Sequence, residues 1–277
     1  MLKNSFCHIP GIGAKSEQRL WSLGLDTWES FFDNCAPRLP TKRFSTLDRH
    51  LRRSVSELEA GNSTYFASCL PGEQHWRMFP EFRHSLAYLD IETTGFRSDP
   101  NSITTIAVYD GREVYCYVRG RNLARFRDDI HRYKLLVTYS GKCFDIPVIE
   151  ETFGIRLGTA HIDLRYVLNS LGYWGGLKTC EKQFGIDRGA LDGLNGYDAV
   201  LLWDDFTRNR NERALETLLA YNIEDVINLE TLMVAAYNKK IRGTPFASSH
   251  QHRLPSTPAT PYRPDAETIR RIRRLFA

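Results

Sequence analysis

Residues 85–95 read SLAYLDIETTG, and the fold follows from how that stretch is interpreted. Ser85 to Ile91 is a short apolar run fit for a buried strand. Asp90 and Glu92 stand two residues apart at its end, so strand geometry sends both side chains to one face. The turn through Thr93, Thr94 and Gly95 opens space beside that face. Adjacent acids on one strand face repel. Two readings stay open: a solvated strand end, or part of a site that needs a cation.

Downstream, Ile103–Tyr109 and Val114–Val118 flank Asp110-Gly111, a strong hairpin signal between β-branched and aromatic runs. A helix is expected around 121–132, a strand at Leu135–Tyr139 and a turn at Ser140-Gly141. Another helix should open near Asp145-Ile146-Pro147, because proline fits a first helical turn. Leu164–Leu171 and Leu177–Phe184 suggest further helix, and Asn211–Lys239 a long one. Three early antiparallel strands, then helix, strand and helices, resemble by analogy the order of a ribonuclease H-like α/β fold, a mixed sheet flanked by helices.

Two further acids fall at informative places. Asp145 follows a strand and opens a helix, where capping and metal binding are compatible roles. Leu218, Tyr221, Asn222, Asp225, Leu229 and Leu232 share one helical face, so Asp225 sits on a largely apolar stripe. A buried carboxylate there needs a cation, a donor set or a metal. Tyr221 lies one turn earlier on the same face, as a core aromatic or as a hydroxyl that holds water, and Glu224 is expected in solvent. Two carboxylates about 4 Å apart repel by roughly 4 kcal/mol at an effective dielectric near 20, so four that converge require cations. Hard oxygen donors without clustered Cys or His point to two Mg²⁺ or Mn²⁺ ions, which serve phosphodiester cleavage.

The 277 residues carry a net charge of +4, with 42% hydrophobic and 25% charged residues, which excludes a disordered chain, a collagen-like fibre and a disulfide mini-protein. No segment has the apolar length of a membrane helix, and the first residues lack a secretory pattern. Six scattered cysteines with no zinc spacing read as free thiols of a reducing cytoplasm. By composition the chain divides into three. Residues 1–80 are helical, and residues 81–241 hold the strand and helix alternation. Residues 242–277 are a Pro/Ser/Thr-rich flexible linker that ends in a short basic helix capped by Asp265.

The ordered motifs resemble those of the DnaQ-like DEDD superfamily of 3′→5′ exonucleases. Asp90-Ile91-Glu92-Thr93-Thr94-Gly95 is similar to its first motif, and Phe144-Asp145 with Tyr139-Ser140-Gly141 to its second. Tyr221-Asn222-Ile223-Glu224-Asp225 is similar to its third in the tyrosine form, the DEDDy branch. With Gly176-Leu177-Lys178, the likeness is nearest to YprB-type ribonuclease H-like proteins and spans about residues 84–240. The resemblance implies that Asp90, Glu92, Asp145 and Asp225 bind two metal ions and that Tyr221 positions water. It also implies substrate contacts from Thr93, Ser140 and Phe144. Ser140 departs from the family's usual Asn and reaches less far. Asp163 reads as a helix cap or as a support for the site.

Near the start, Ile9-Pro10-Gly11-Ile12-Gly13-Ala14-Lys15 resembles a helix-hairpin-helix, in which Gly11, Gly13 and Lys15 would meet a phosphate; a tight turn with no ligand is the alternative. The basic stretch from Arg38 to Arg53 reads as a solvated helix face or as a phosphate-binding strip. The combined expectation is a metal-dependent 3′→5′ exonuclease acting on single-stranded DNA or RNA and releasing 5′-mononucleotides. Phe96, Phe144 and Trp174 are candidates for base stacking, and the basic tail for a protein partner. A structure-specific endonuclease and a non-catalytic nucleic-acid-binding module are the alternatives.

Overall fold

The computed structural model describes residues 1–34, 40–95 and 102–274; Phe96 and Arg38 fall outside them. The N-terminal region is helical: α1 (Ala14–Ser22), α2 (Trp28–Asn34), α3 (Thr41–Glu59), α4 (Ser63–Cys69) and the short α5 (Phe79–Phe82). A 3₁₀ turn (Gly72–Met78) precedes α5. Before the Gly11–Gly13 loop there is a 3₁₀ turn of three residues, Leu2–Asn4, in place of the full helix that the hairpin motif would have.

Among the described residues the sheet has five strands: β1 (Leu86–Thr93), β2 (Ile103–Tyr109), β3 (Val114–Val118), β4 (Leu135–Thr138) and β5 (Ala160–Asp163), in the order β3-β2-β1-β4-β5. β1 pairs antiparallel with β2 and parallel with β4. β2 pairs antiparallel with β3, and β4 pairs parallel with β5. Strands covered on both faces lose the alternation of a half-exposed sheet, and all seven residues of β2 are buried. β5 escapes sequence reading because four residues, two of them His161 and Asp163, offer no apolar run.

The helix expected around 121–132 is broken into a 3₁₀ turn, the four-residue α6 (Phe126–Asp129) and a second 3₁₀ turn. Then follow α7 (Asp145–Phe153), α8 (Leu164–Asn169), α9 (Leu177–Gln183), α10 (Gly196–Asn209), α11 (Glu212–Ile241) and α12 (Ala266–Arg274). Alternation along β1 divides the packing. Ala87, Leu89 and Ile91 join a core with Ile149 of α7. Leu86 and Tyr88 join another with Ile223, Val226 and Leu229 of α11. The residues of β1 in the parity of Leu86 and Tyr88 include Asp90 and Glu92, so period-2 geometry turns both acids toward α11.

The α11 core continues without a break into the N-terminal helices through Phe6, Trp21, Trp28, Phe66 and Trp76. Residues 243–264 hold no regular helix or strand but do make contacts. Phe246 meets Trp21 edge-on, and His252 exchanges two hydrogen bonds with Asn238. In α12, Thr268, Ile269 and Ile272 are buried, and the helix packs on α10 and α11 with Thr268 N–H bonded to Asp265 Oδ1 (2.8 Å).

Candidate active site

β1 supplies Asp90 and Glu92, opposite Ala107 and Thr105 of β2. The register slips between Glu92 and Thr93, with Thr93 pairing Ile103, and beyond the strand the chain turns through Gly95 (φ 84°), a left-handed conformation suited to glycine. α11 supplies Tyr221, Asn222 and Asp225. One carboxylate oxygen each from Asp90, Glu92 and Asp225 lies within 4.8 Å of the others. Asn222 ties the two elements together: its Nδ2 donates to Asp90 Oδ2 (2.7 Å) and its Oδ1 accepts from Thr105 Oγ1 (3.0 Å).

Asp145 is the first residue of α7, and its side chain does not cap the helix. Its Oδ1 instead accepts the Ile91 N–H (3.2 Å), which fixes the helix start against the strand between Asp90 and Glu92. The turn before it is constrained twice. Gly141 fits because a Cβ there would stand 2.1 Å from Thr138 Oγ1. Ser140 takes a left-handed φ of 63°, held by its N–H on Asp163 Oδ1 (2.8 Å). Asp163 also accepts from Lys142 N–H (3.1 Å) and caps α8 through Arg165 N–H (3.1 Å). The two roles expected for Asp163 therefore coincide: it caps one helix and holds the loop that delivers Asp145.

Two cations complete the cluster. Lys178 Nζ, near the start of α9, donates to the Tyr221 hydroxyl and lies 4.3 Å from its ring centroid. Arg188 Nη2 donates to Asp225 Oδ1, while Arg188 also grips Glu181 of α9 with Nε–Oε2 at 2.6 Å and Nη2–Oε1 at 2.7 Å. Asn228 Nδ2 donates to the same Glu181 (3.0 Å). The cation that the apolar setting of Asp225 demanded is thus Arg188, which no sequence pattern marked. Glu224, expected in solvent, is half-buried, with Asn228 Nδ2 donating to it at 3.4 Å.

The balance of charge stays negative. Burial, then Asp225, Asp145 and Glu92, push the Asp90 carboxyl well above the usual range. Glu92 is raised by burial and by Asp225, with Lys178 opposing. Asp145 is raised to about 7, chiefly by burial, although its backbone hydrogen bonds pull the other way. Burial and the charge of Asp225 also raise the Tyr221 hydroxyl. Carboxyls that resist ionisation while three of their oxygens converge suit a divalent cation. The donors are hard oxygens, and among the described residues no His or Cys joins the group.

The other expected contacts are spread more widely. Thr93 is part-exposed beside the acids, and its Oγ1 accepts from Gly95 N–H (3.2 Å). Ser140 and Phe144 flank Asp145, with Phe144 packed partly against the α7 core. Trp174 is 63% exposed, four residues before Lys178. Gly11, Gly13 and Lys15 are exposed in the N-terminal region, where Gly11 joins Arg43 of α3 in lining a cleft of about 320 Å³. They do not join the carboxylate cluster.

A family model described as the RNase_H superfamily matches residues 87–237. Among solved structures, the family B DNA polymerase from the hyperthermophilic archaeon Pyrobaculum calidifontis is similar at 20% identity with a TM-score of 0.42. That alignment covers 57% of this chain and 24% of the polymerase. No curated protein matches the chain.

Proposed function

The chain belongs to the RNase_H superfamily, and from that premise we propose that it is a metal-dependent 3′→5′ exonuclease of the tyrosine-type DEDD branch. Its substrate would be single-stranded nucleic acid and its product 5′-mononucleotides. The observation that carries this is the convergence of Asp90, Glu92 and Asp225 from a strand and a helix, with Asp145 tied to the same strand.

Asp90, Glu92, Asp145 and Asp225 would hold Mg²⁺ or Mn²⁺, two ions in the full reading. Such ions supply positive charge to the phosphate and lower the cost of ionising water. Tyr221 offers a hydroxyl whose raised pKa keeps it protonated, so it can donate to a water oxygen as well as accept from Lys178. Asn222 holds Asp90 in one orientation, and Asp163 holds the loop that carries Asp145 and Ser140.

Around this centre, exposed Trp174 (63%) and Tyr166 (42%) suit stacking with unpaired bases. The Gly11–Gly13 loop with Arg43 and Lys15 suits a phosphate farther along the strand, as a helix-hairpin-helix would use it. A protein partner at the basic tail would meet the exposed Arg270 and Arg274 of α12, since that helix's apolar face is already covered.

The test uses 5′-labelled single-stranded DNA and RNA of matched sequence, with Mn²⁺ or Mg²⁺ and with EDTA. The expected result is a ladder shortening from the 3′ end, absent in EDTA. Asp225→Ala should slow it by on the order of 10³-fold or more. Internal cleavage of a strand whose 3′ end is blocked would replace the exonuclease with an endonuclease. No cleavage by the folded protein would defeat both.

A further inference from the structure

The charge count at the site leaves Arg188 with more to do than fold the chain. Arg188 and Glu181 are 3% and 2% exposed, and their two-point pair is complete in itself. Yet the same guanidinium reaches past Glu181 to Asp225, and its Nη1 is buried with no hydrogen-bond partner. A purely structural arginine would spend its donors on neutral or balanced acceptors. This one is aimed at an acid of the converging group, and one oxygen of Asp225 is engaged by it. The segment that carries it is built for the placement, with left-handed Gly185 and Gly189 on either side and Gly189 N–H bonded to Asp187 Oδ1 (2.9 Å).

We propose that Arg188 is a resident counter-cation and positioning residue: it holds Asp225 in one orientation in the metal-free protein and, by its fixed charge, weakens and so sets the affinity of the carboxylate cluster for a divalent ion. This rests on the metal-dependent reading above and deepens it. The physical reason is Coulombic. A positive charge in contact with Asp225 repels an ion bound to that same carboxylate, and the repulsion falls only as the inverse of distance in a buried setting. Glu181 compensates less, because it contacts Asp225 only through the guanidinium. Lysine carries the charge but lacks the planar fork that reaches both acids at once. Charge and positioning can therefore be separated by substitution.

The experiment measures Mn²⁺ binding calorimetrically to the full chain and to Arg188→Lys, Arg188→Met and the double variant Arg188→Met/Glu181→Met. The double variant guards against misfolding, since an apolar replacement of a buried pair is tolerated better than the loss of one partner. Arg188→Met should bind Mn²⁺ at least about tenfold more tightly than the native chain. The double variant should shift in the same direction by less, and Arg188→Lys should stay within about twofold. At saturating Mn²⁺, kcat on the labelled strand should fall in all three, because Asp225 has lost its orienting fork. General structural damage would weaken metal binding, so tighter binding is the signature. Unchanged or weaker binding in the folded double variant overturns the proposal. If the native chain itself binds no Mn²⁺, the nuclease reading has failed, and that result is distinct from a native chain that binds while its variants do not shift.

Discussion

Among the described residues two arginine–glutamate pairs are buried, and they are built on opposite plans. In the N-terminal region, Glu17 of α1 (1% exposed) meets Arg77 Nη2 at 2.7 Å. Its Oε1 also accepts from Ser5 Oγ, Phe6 N–H and Cys7 N–H at 3.0, 2.7 and 3.2 Å. Arg77 spends its remaining donors on Ser5 Oγ and Gln74 Oε1. One carboxylate faces one guanidinium with its hydrogen bonds filled, and the result is a closed brace across the 3₁₀ turn and α1. Arg188–Glu181 is equally buried, but it adjoins further acids, Asp90, Glu92, Asp145, Asp225 and Glu224, with Lys178 as a second cation nearby. Buried charge that balances locally marks structure. Buried charge left in deficit, with carboxyls pushed upward, marks a place reserved for something positive.

That contrast can be broken at either end. The largest effect belongs to the brace. Arg77→Met strands Glu17 in the core and should cost about 3–5 kcal/mol of stability, read as a drop in denaturant midpoint. Mn²⁺ affinity per folded molecule should not change. A brace variant that altered metal binding would erase the distinction between the two pairs.

The second effect is a pH dependence confined to the site. Asp145 is raised from 3.8 to about 7, so its contribution to the metal-free fold is complete below about 3.8 and is lost as pH rises through about 7. Between those values the melting temperature in EDTA should therefore carry a falling component, worth up to about 4 kcal/mol. Asp145→Asn should remove that share and leave the falling components of the raised Asp90 and Glu92 carboxyls, and Arg77→Met should leave all of them in place. The third and smallest effect sharpens the deficit itself. Glu92→Gln removes one like charge beside Asp90 and Asp225, and it should stabilise the metal-free protein by about 1–2 kcal/mol in thermal melts at neutral pH while abolishing cleavage.

How much of this was legible from sequence depends on how local each signal is. Asp90 and Glu92 are two residues apart on one strand, and Tyr221 and Asp225 are one turn apart on one helix, so periodicity alone puts each pair on a face. The Asp110-Gly111 hairpin was equally local, and its strands run Ile103–Tyr109 and Val114–Val118 as read. The ribonuclease H-like order rests on analogy with those pieces, and β5 lies outside what they show. The cations did not follow. Arg188 reaches Asp225 across 37 positions and Arg77 reaches Glu17 across 60, distances over which no repeat or spacing rule carries information. Lys178 was visible as part of a Gly-Leu-Lys segment, but its contact with Tyr221 depends on how α9 packs against α11. Sequence marks Asp145 as a helix opener, and α7 does begin there, but its carboxylate binds the strand and not the helix end, because the Ile91 N–H is within reach and α7 begins at Asp145 itself.

The claim that the deficit is a cation site is tested most directly by titrating Mn²⁺ into the EDTA-treated and dialysed chain, calorimetrically and in two buffers of different ionisation enthalpy at neutral pH. Saturable binding accompanied by net proton release, because raised carboxyls must ionise to accept the metal, is the predicted result. Both signals should vanish in Asp225→Ala. Absence of saturable binding, or binding that survives Asp225→Ala, would contradict the account.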